Sequence, residues 1–202
     1  MPDPELADRP EEWPVVASRD LHRGGTWVVA LRSDRIRNPD DPDGEAFDRV
    51  VLEHPGAVVV LALDDRGRAI CLSQYRHAAL QRFVELPAGV IDADEEPLEV
   101  GRRELREEAG LEAGDWTHLL STYSSPGYSA EVIHYYLARD LRDVGRGDFV
   151  PTHEEADMQL FRVPYADLLD AVLSGAVRDA PVALAVLAAQ ARGLTGRTPR
   201  RE

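Results

Sequence analysis

Residues 97–109, Pro-Leu-Glu-Val-Gly-Arg-Arg-Glu-Leu-Arg-Glu-Glu-Ala, constrain the fold of this chain more than any other stretch. Pro97 suits the first turn of a helix, where its missing N–H is no loss, and Gly110 can take the left-handed conformation that stops one. Within that helix Glu104, Glu107 and Glu108 fall at i, i+3 and i+4, so three carboxylates share one face within a turn. Leu98, Leu105 and Ala109 form an apolar stripe on the opposite side, with Gly101 allowing close approach. The pattern therefore predicts a helix with its apolar stripe buried and its acidic face turned outward. Such a face is either an ordinary solvated one, relieved by Arg102, Arg103 and Arg106, or a cluster assembled to hold cations; the helix alone does not decide.

Ahead of the helix, short runs rich in Val, Leu and Ile predict strands at Val15–Arg19, Thr26–Asp34, Arg49–Glu53, Ala57–Asp64 and Ala69–Gln74. Asp64-Asp65-Arg66-Gly67 signals a turn, and 38–44 a longer loop rich in Asp and Pro. Beyond the helix, strands are expected at Trp116–Tyr123, Val132–Arg139 and Met158–Val163, with a charged loop over 142–157. Tyr165–Ser174 and Ala180–Ala191 carry apolar residues at helical spacings, separated by Gly175. The fold class is α+β, a mixed sheet with a few helices against it. Residues 1–12 and 194–202 read as flexible tails, which leaves an N-terminal β region at 13–55 and a main domain with C-terminal helices at 56–193.

The 202 residues suffice for one domain with a substantial core. With 23 basic and 37 acidic residues the formal charge is −14, which repels a polyanion, so nucleic acid is not an expected partner. Acidity does not exclude a small phosphorylated substrate, because carboxylates hold Mg²⁺ and Mg²⁺ holds phosphates. The longest apolar runs, 57–63 and 182–189, fall far short of the roughly 20 residues that span a bilayer. The acidic start lacks the features of a secretory signal, and the single Cys71 excludes an intramolecular disulfide, so a cytoplasmic location is expected. His77, His118 and His134 look isolated, Cys71 reads as a small core residue, and Ser124 and Ser125 lack the partners of a serine hydrolase.

The register around the helix decides between its two readings. Counting from Gly89, five residues lead to Glu95, and seven more to Arg103-Glu104-Leu105-Arg106-Glu107-Glu108-Ala109-Gly110-Leu111. In this complete G-x5-E-x7-R-E-U-x-E-E-x-G-U pattern, with U a bulky aliphatic residue, the chain resembles the Nudix hydrolases. The resemblance implies a Nudix fold: a mixed β-sheet sandwiched by helices, here with an N-terminal antiparallel β extension. It also implies Mg²⁺-dependent cleavage of a pyrophosphate, with Mn²⁺ able to substitute. A pyrophosphate resists hydrolysis because its negative oxygens repel hydroxide; clustered divalent ions neutralise that charge and acidify a bound water. By the resemblance, Glu104, Glu107, Glu108 and the carbonyl of Ala88 are the metal ligands, while Arg103 and Glu95 orient the carboxylates.

Three further features resemble the ADP-ribose pyrophosphatase subfamily. Pro126, within Ser125-Pro126-Gly127, lies 16 residues after Gly110. Gln74-Tyr75-Arg76, followed by Glu85-Leu86-Pro87-Ala88-Gly89, looks like the segment that places an arginine on the substrate pyrophosphate, which assigns Arg76 and Glu85 to substrate. The loop His153-Glu154-Glu155-Ala156-Asp157-Met158 resembles the mobile base-bearing loop of actinobacterial ADP-ribose pyrophosphatases; either Glu154 or Glu155 is the base, with Glu107 the candidate should neither act. Trp27 is either a ring stacked on adenine or a buried strand residue, and Glu131 is placed at the terminal ribose. The resemblance further implies a homodimer with exchanged N-terminal strands, in which Trp27 and Arg49 serve the partner's site. Two alternatives remain beside ADP-ribose hydrolysis: another nucleoside diphosphate derivative such as a nucleotide sugar, and a non-catalytic ADP-ribose sensor, which the intact box disfavours.

Overall fold

A computed structural model describes residues 6–24, 29–92, 95–147 and 156–195. The chain divides into two compact units, one of residues 1–54 with 125–130, the other of 55–124 with 131–202.

In the first unit β1 (Val15–His22), β2 (Ala30–Ile36) and β3 (Phe47–Glu53) form an antiparallel sheet in that order. Every residue of β1 is exposed, and β2 buries only Ala30, Ser33 and Asp34. Polar and charged contacts link its strands. The Ser18 hydroxyl donates to Asp34 at 2.6 Å, Arg32 Nε donates to the same carboxylate at 2.8 Å, and Arg23 and Arg32 both pair with Glu53. Residues 125–130 run beside β3, with the Leu52 N–H donating to the Tyr128 carbonyl at 2.7 Å and the Ala130 N–H to the Leu52 carbonyl at 3.0 Å. Pro126 stands in the turn of that segment, where the Tyr128 and Ser129 N–H groups both donate to the Ser125 carbonyl.

The second unit carries β4 (Ala57–Ala62), β5 (Arg68–Arg76), β6 (Gln81–Glu85), β7 (Ala88–Val90), α1 (Pro97–Ala109), β8 (Leu111–Tyr123), β9 (Val132–Asp143), β10 (Gln159–Pro164), α2 (Tyr165–Leu173) and α3 (Ala180–Ala191). A mixed sheet runs β7-β4-β9-β8, with β4 and β9 parallel and the other pairs antiparallel; an antiparallel sheet runs β10-β5-β6. Alternation along β4 builds two cores. Val58, Val60 and Ala62 pack with Val100, Leu105 and Ala109 of α1, while Val59 and Leu61 pack with Leu168 of α2 and Val182, Ala185, Val186 and Ala189 of α3. The expected sandwich of sheet between helices is what forms. No helix among the described residues is long and apolar enough to cross a membrane.

α1 has the predicted bounds: Pro97 opens it, and Gly110, at φ 70°, closes it by donating to the Arg106 carbonyl at 2.8 Å. The expectation for its faces needs correcting. Val100 and Leu105 are fully buried, but so, nearly, are Glu104 and Glu108, at 9% and 7% exposure, so the acidic face does not simply look outward. Strands β6 and β7 were not predicted, and β8 starts five residues before the expected Trp116, straight after Gly110. Its early residues pair with the end of β9, Leu111 with Asp143 and Ala113 with Leu141, converting part of the predicted charged loop to strand.

Candidate active site

The site begins with the close fit between β7 and α1. Ala88 and Gly89 are held in register against Val59 and Val58 of β4, while Gly101 brings α1 near the same strand: a Cβ there would lie 3.2 Å from Val58 Cγ1 and 3.3 Å from Val60 Cγ2. Across this gap Glu108 Oε2 accepts the Ala88 N–H at 2.9 Å. Glu104 lies over Gly89, where a Cβ would come within 1.9 Å of its Oε1. Glycine is thus required at 89 for room, since any side chain would displace the Glu104 carboxylate. β7 contributes an N–H and a gap, and two buried carboxylates fill them.

Arg103 holds the rest of the cluster. Its Nη1 donates to Glu104 Oε1 at 2.7 Å and to Glu107 Oε2 at 3.4 Å, and its Nη2 to Glu95 Oε2 at 3.1 Å. Burial opposes its charge, but Glu95, Glu104 and Glu107 overcome that and hold its pKa above the ordinary arginine value. The C-terminal end of α1 is fixed by Arg146, whose Nη2 donates to the Glu108 carbonyl at 2.6 Å.

Beside this cluster, Arg76 at the end of β5 makes a two-pronged pair with buried Glu85 of β6, Nε to Oε1 at 2.8 Å and Nη2 to Oε2 at 2.7 Å, leaving half of the arginine side chain exposed. That bond, with the nearby charges of Glu108 and Asp179, holds Arg76 firmly protonated. The sensitivity to Glu108 connects Arg76 with the carboxylates of α1. Glu131, half-buried ahead of β9, is felt by the Tyr135 phenol, whose pKa burial raises, with Asp179 and Glu131 adding to the rise.

The second unit therefore brings together Ala88, Gly89, Glu95, Arg103, Glu104, Glu107 and Glu108, with Arg76 and Glu85 alongside. Arg49 and Pro126 belong to the first unit, where the Arg49 guanidinium lies 4.3 Å from the centre of the Phe47 ring. Trp27, Glu154 and Glu155 lie outside the described residues. Of the acidic loop, Asp157 is described, paired with Arg82 of β6. Two groups escaped the sequence reading: Arg146 and Asp179, each brought to this region from far along the chain. The histidines also need correcting, since Ser121 Oγ links His118 Nε2 at 2.9 Å to His134 Nδ1 at 2.8 Å across β8 and β9. Cys71 is buried as expected, and burial pushes its thiol up to about 12, which makes it inert as a nucleophile.

The oxygens of Glu104, Glu107, Glu108 and the Ala88 carbonyl are hard donors of the kind Mg²⁺ prefers. Among the described residues no three acidic, histidine or cysteine side chains converge as a ready-made cation cage. Arg103 and the Ala88 N–H engage the carboxylates instead, and a flexible glutamate turns from such a partner without any backbone change. The donor set thus fits a divalent cation.

Comparison with known proteins bears on what this arrangement does. The NUDIX domain family is matched over residues 53–184. An ADP-ribose pyrophosphatase of Mycobacterium tuberculosis (strain ATCC 25618 / H37Rv) is 41% identical over 181 residues, covering 89% of this chain and 84% of that protein. An ADP-ribose pyrophosphatase of Bacillus subtilis (strain 168) is 36% identical over 157 residues, 75% of this chain and 80% of that one. In fold the chain is similar to a solved structure described as an ADP compounds hydrolase, with a TM-score of 0.74 at 20% identity, covering 95% of this chain and all of the other.

Proposed function

The chain belongs to the NUDIX family, and we propose that it hydrolyses the pyrophosphate of ADP-ribose to AMP and ribose 5-phosphate in a Mg²⁺-dependent reaction, with Mn²⁺ able to substitute. The observation that carries this reading is the seating of Glu104 and Glu108 on β7, with Arg76 beside them. When bound, the divalent ions neutralise the diphosphate and lower the pKa of an attacking water.

In this reading Glu104, Glu107, Glu108 and the Ala88 carbonyl are the ligands. Arg103 and Glu95 keep the carboxylates in place, as their bonds at 2.7–3.4 Å would allow. Arg76, steadied by Glu85, offers the exposed part of its guanidinium to the pyrophosphate. Glu154 or Glu155 takes the proton from the attacking water, or Glu107 should both prove dispensable. By the same resemblance Trp27 and Arg49 are assigned to the partner's site, Trp27 to adenine, while Pro126 is assigned to substrate and Glu131 to the terminal ribose. A homodimer with exchanged N-terminal strands is supported by the wholly exposed β1, which shows Val15, Val16 and Leu21 to solvent. The buried, unpaired Cys71 suits a reducing cytoplasm.

Chromatography of the products of ADP-ribose and Mg²⁺ tests the proposal. AMP and ribose 5-phosphate in equal amounts are expected. Inertness toward ADP-ribose with turnover of a nucleotide sugar would reassign the substrate, and binding without any product would make the chain a sensor.

A further inference from the structure

Asp179 stands at the start of α3, where its Oδ2 accepts the Val182 N–H at 2.9 Å and so caps the helix. Its neighbour Arg178 donates through Nη2 to Gln81 Oε1 at 2.8 Å, and Gln81 is the strand partner of Arg76. The cap therefore lies at the end of the β5–β6 pair that carries Arg76 and Glu85. Desolvation, eased by the Val182 N–H, raised again by the Glu85 charge and eased by Arg76, lifts the Asp179 carboxyl to about 6. The charged or titratable groups facing it are Arg76 on β5, Glu85 on β6, Tyr135 on β9 and, next in sequence, Arg178.

We propose that Asp179 is a positioning residue for Arg76: seated at the end of the β5–β6 pair, its carboxylate adds a negative charge near the guanidinium that Glu85 holds and so sets how much of that charge is open to an anionic substrate. The inference rests on the reading of Arg76 as the pyrophosphate contact. A helix cap alone needs only an oxygen, which Asn or Ser supplies equally well. A carboxylate at this spot adds a second negative charge to an arginine already neutralised by a two-pronged partner. The ionised form thus works against an incoming anion, and the protonated form does not. A pyrophosphate diester stays fully ionised throughout the range in which Asp179 titrates, so the proton on Asp179, not one on the substrate, changes the affinity. By linkage the anion in turn raises the Asp179 pKa, and each unit of that rise corresponds to about tenfold tighter binding by the protonated form.

The test compares Asp179→Asn, Asp179→Ser and Arg76→Gln with the wild type, measuring kcat and KM for ADP-ribose at saturating Mg²⁺ from pH 5 to pH 8. Dividing the wild-type KM by that of Asp179→Asn cancels the titrations that are not coupled to Asp179. The expected quotient rises about tenfold from pH 5 to pH 7, with the kcat quotient flat. Thermal melting without substrate or metal supplies a second readout. A carboxyl raised from 3.8 to about 6 by folding costs stability once ionised, so Asp179→Asn melts above the wild type at pH 7 and the two converge below pH 4. A KM quotient independent of pH, or a melting difference independent of pH, overturns the proposal. Should Arg76→Gln leave KM unchanged, the reading of Arg76 fails and this inference falls with it; a raised KM for Arg76→Gln with a flat Asp179 quotient sinks the inference alone. Asp179→Ser reproduces the Asn result if charge is what matters.

Discussion

The β7–α1 region and the β1–β3 sheet are both dense in charge, yet each holds that charge by a different means. In β7–α1 the carboxylates are buried against backbone: Glu108 is bonded to the Ala88 N–H, Glu104 lies over Gly89, and fully buried Val100 and Leu105 lie beneath. In the sheet Ser18 of β1 reaches the buried Asp34 of β2, and Arg32 pairs with Asp34 on its own strand and with Glu53 of β3, beside a β1 with no buried residue. The first arrangement has an apolar foundation of its own. The second rests on ion pairs, which contribute little when solvated, and leaves Val15, Val16 and Leu21 open to solvent. A region with an apolar foundation and a region dependent on ionic conditions should respond differently to substitution.

The largest expected effect is that of Glu108→Gln. Glutamine keeps an oxygen for the Ala88 N–H, so the fold and melting temperature should hold, while kcat falls by several orders of magnitude as a metal-binding charge is lost. A change confined to KM would place Glu108 outside the reactive cluster. Gly89→Ala sharpens the point, because it alters no charge at all. The added Cβ would stand 1.9 Å from Glu104 Oε1, and this flexible carboxylate can move aside at little cost to the fold. Misplacing it by about 1 Å should lower kcat on the order of 10²-fold with melting nearly unchanged. Wild-type kcat in this variant would mean that the position of Glu104 is immaterial.

Substitution in the N-terminal region should show the opposite profile. Trp27→Ala is expected to raise KM for ADP-ribose about tenfold, losing roughly 1–3 kcal/mol of stacking, with kcat little altered. An unchanged KM in a folded variant removes Trp27 from the substrate site. The smallest effect is one of pH. The Ser18 hydrogen bond and Arg32 hold the Asp34 carboxyl below its ordinary 3.8, and Arg32 and Arg23 hold Glu53 below 4.5. Both are depressed on folding, so the stability they lend is complete above those values and fades as pH falls through the lower folded ones. Hydrogen exchange, corrected for its intrinsic rate, should quicken in β1–β3 below about pH 4 before it does in β4. Simultaneous loosening of both would show that the ion pairs hold nothing together.

The same contrast explains what the sequence could and could not tell. α1 was legible to the residue because Pro97, Gly110 and a helical period agree, and the carboxylate cluster was legible because its spacing is local. The burial of Glu104 and Glu108 was not, since periodicity takes no account of the N–H and the gap that β7 offers. β6 and β7 escaped because Gln81–Glu85 is polar and Ala88–Val90 has only three residues; each is a strand only by virtue of its neighbour. Leu111–Asp115, with a glycine and two acids, has no strand pattern and is shaped by pairing with β9. Arg146 and Asp179 come to the site from afar, and nothing in their local sequence marks them.

The proposed binding of divalent cations by the β7–α1 carboxylates can be measured without substrate. Mn²⁺ titrated into substrate-free protein and counted by electron paramagnetic resonance tests it most directly, with wild type set against a Glu104→Gln, Glu108→Gln double variant of matching circular dichroism. Bound Mn²⁺ is expected in the wild type and is lost in the double variant. Equal binding by the two proteins would contradict it.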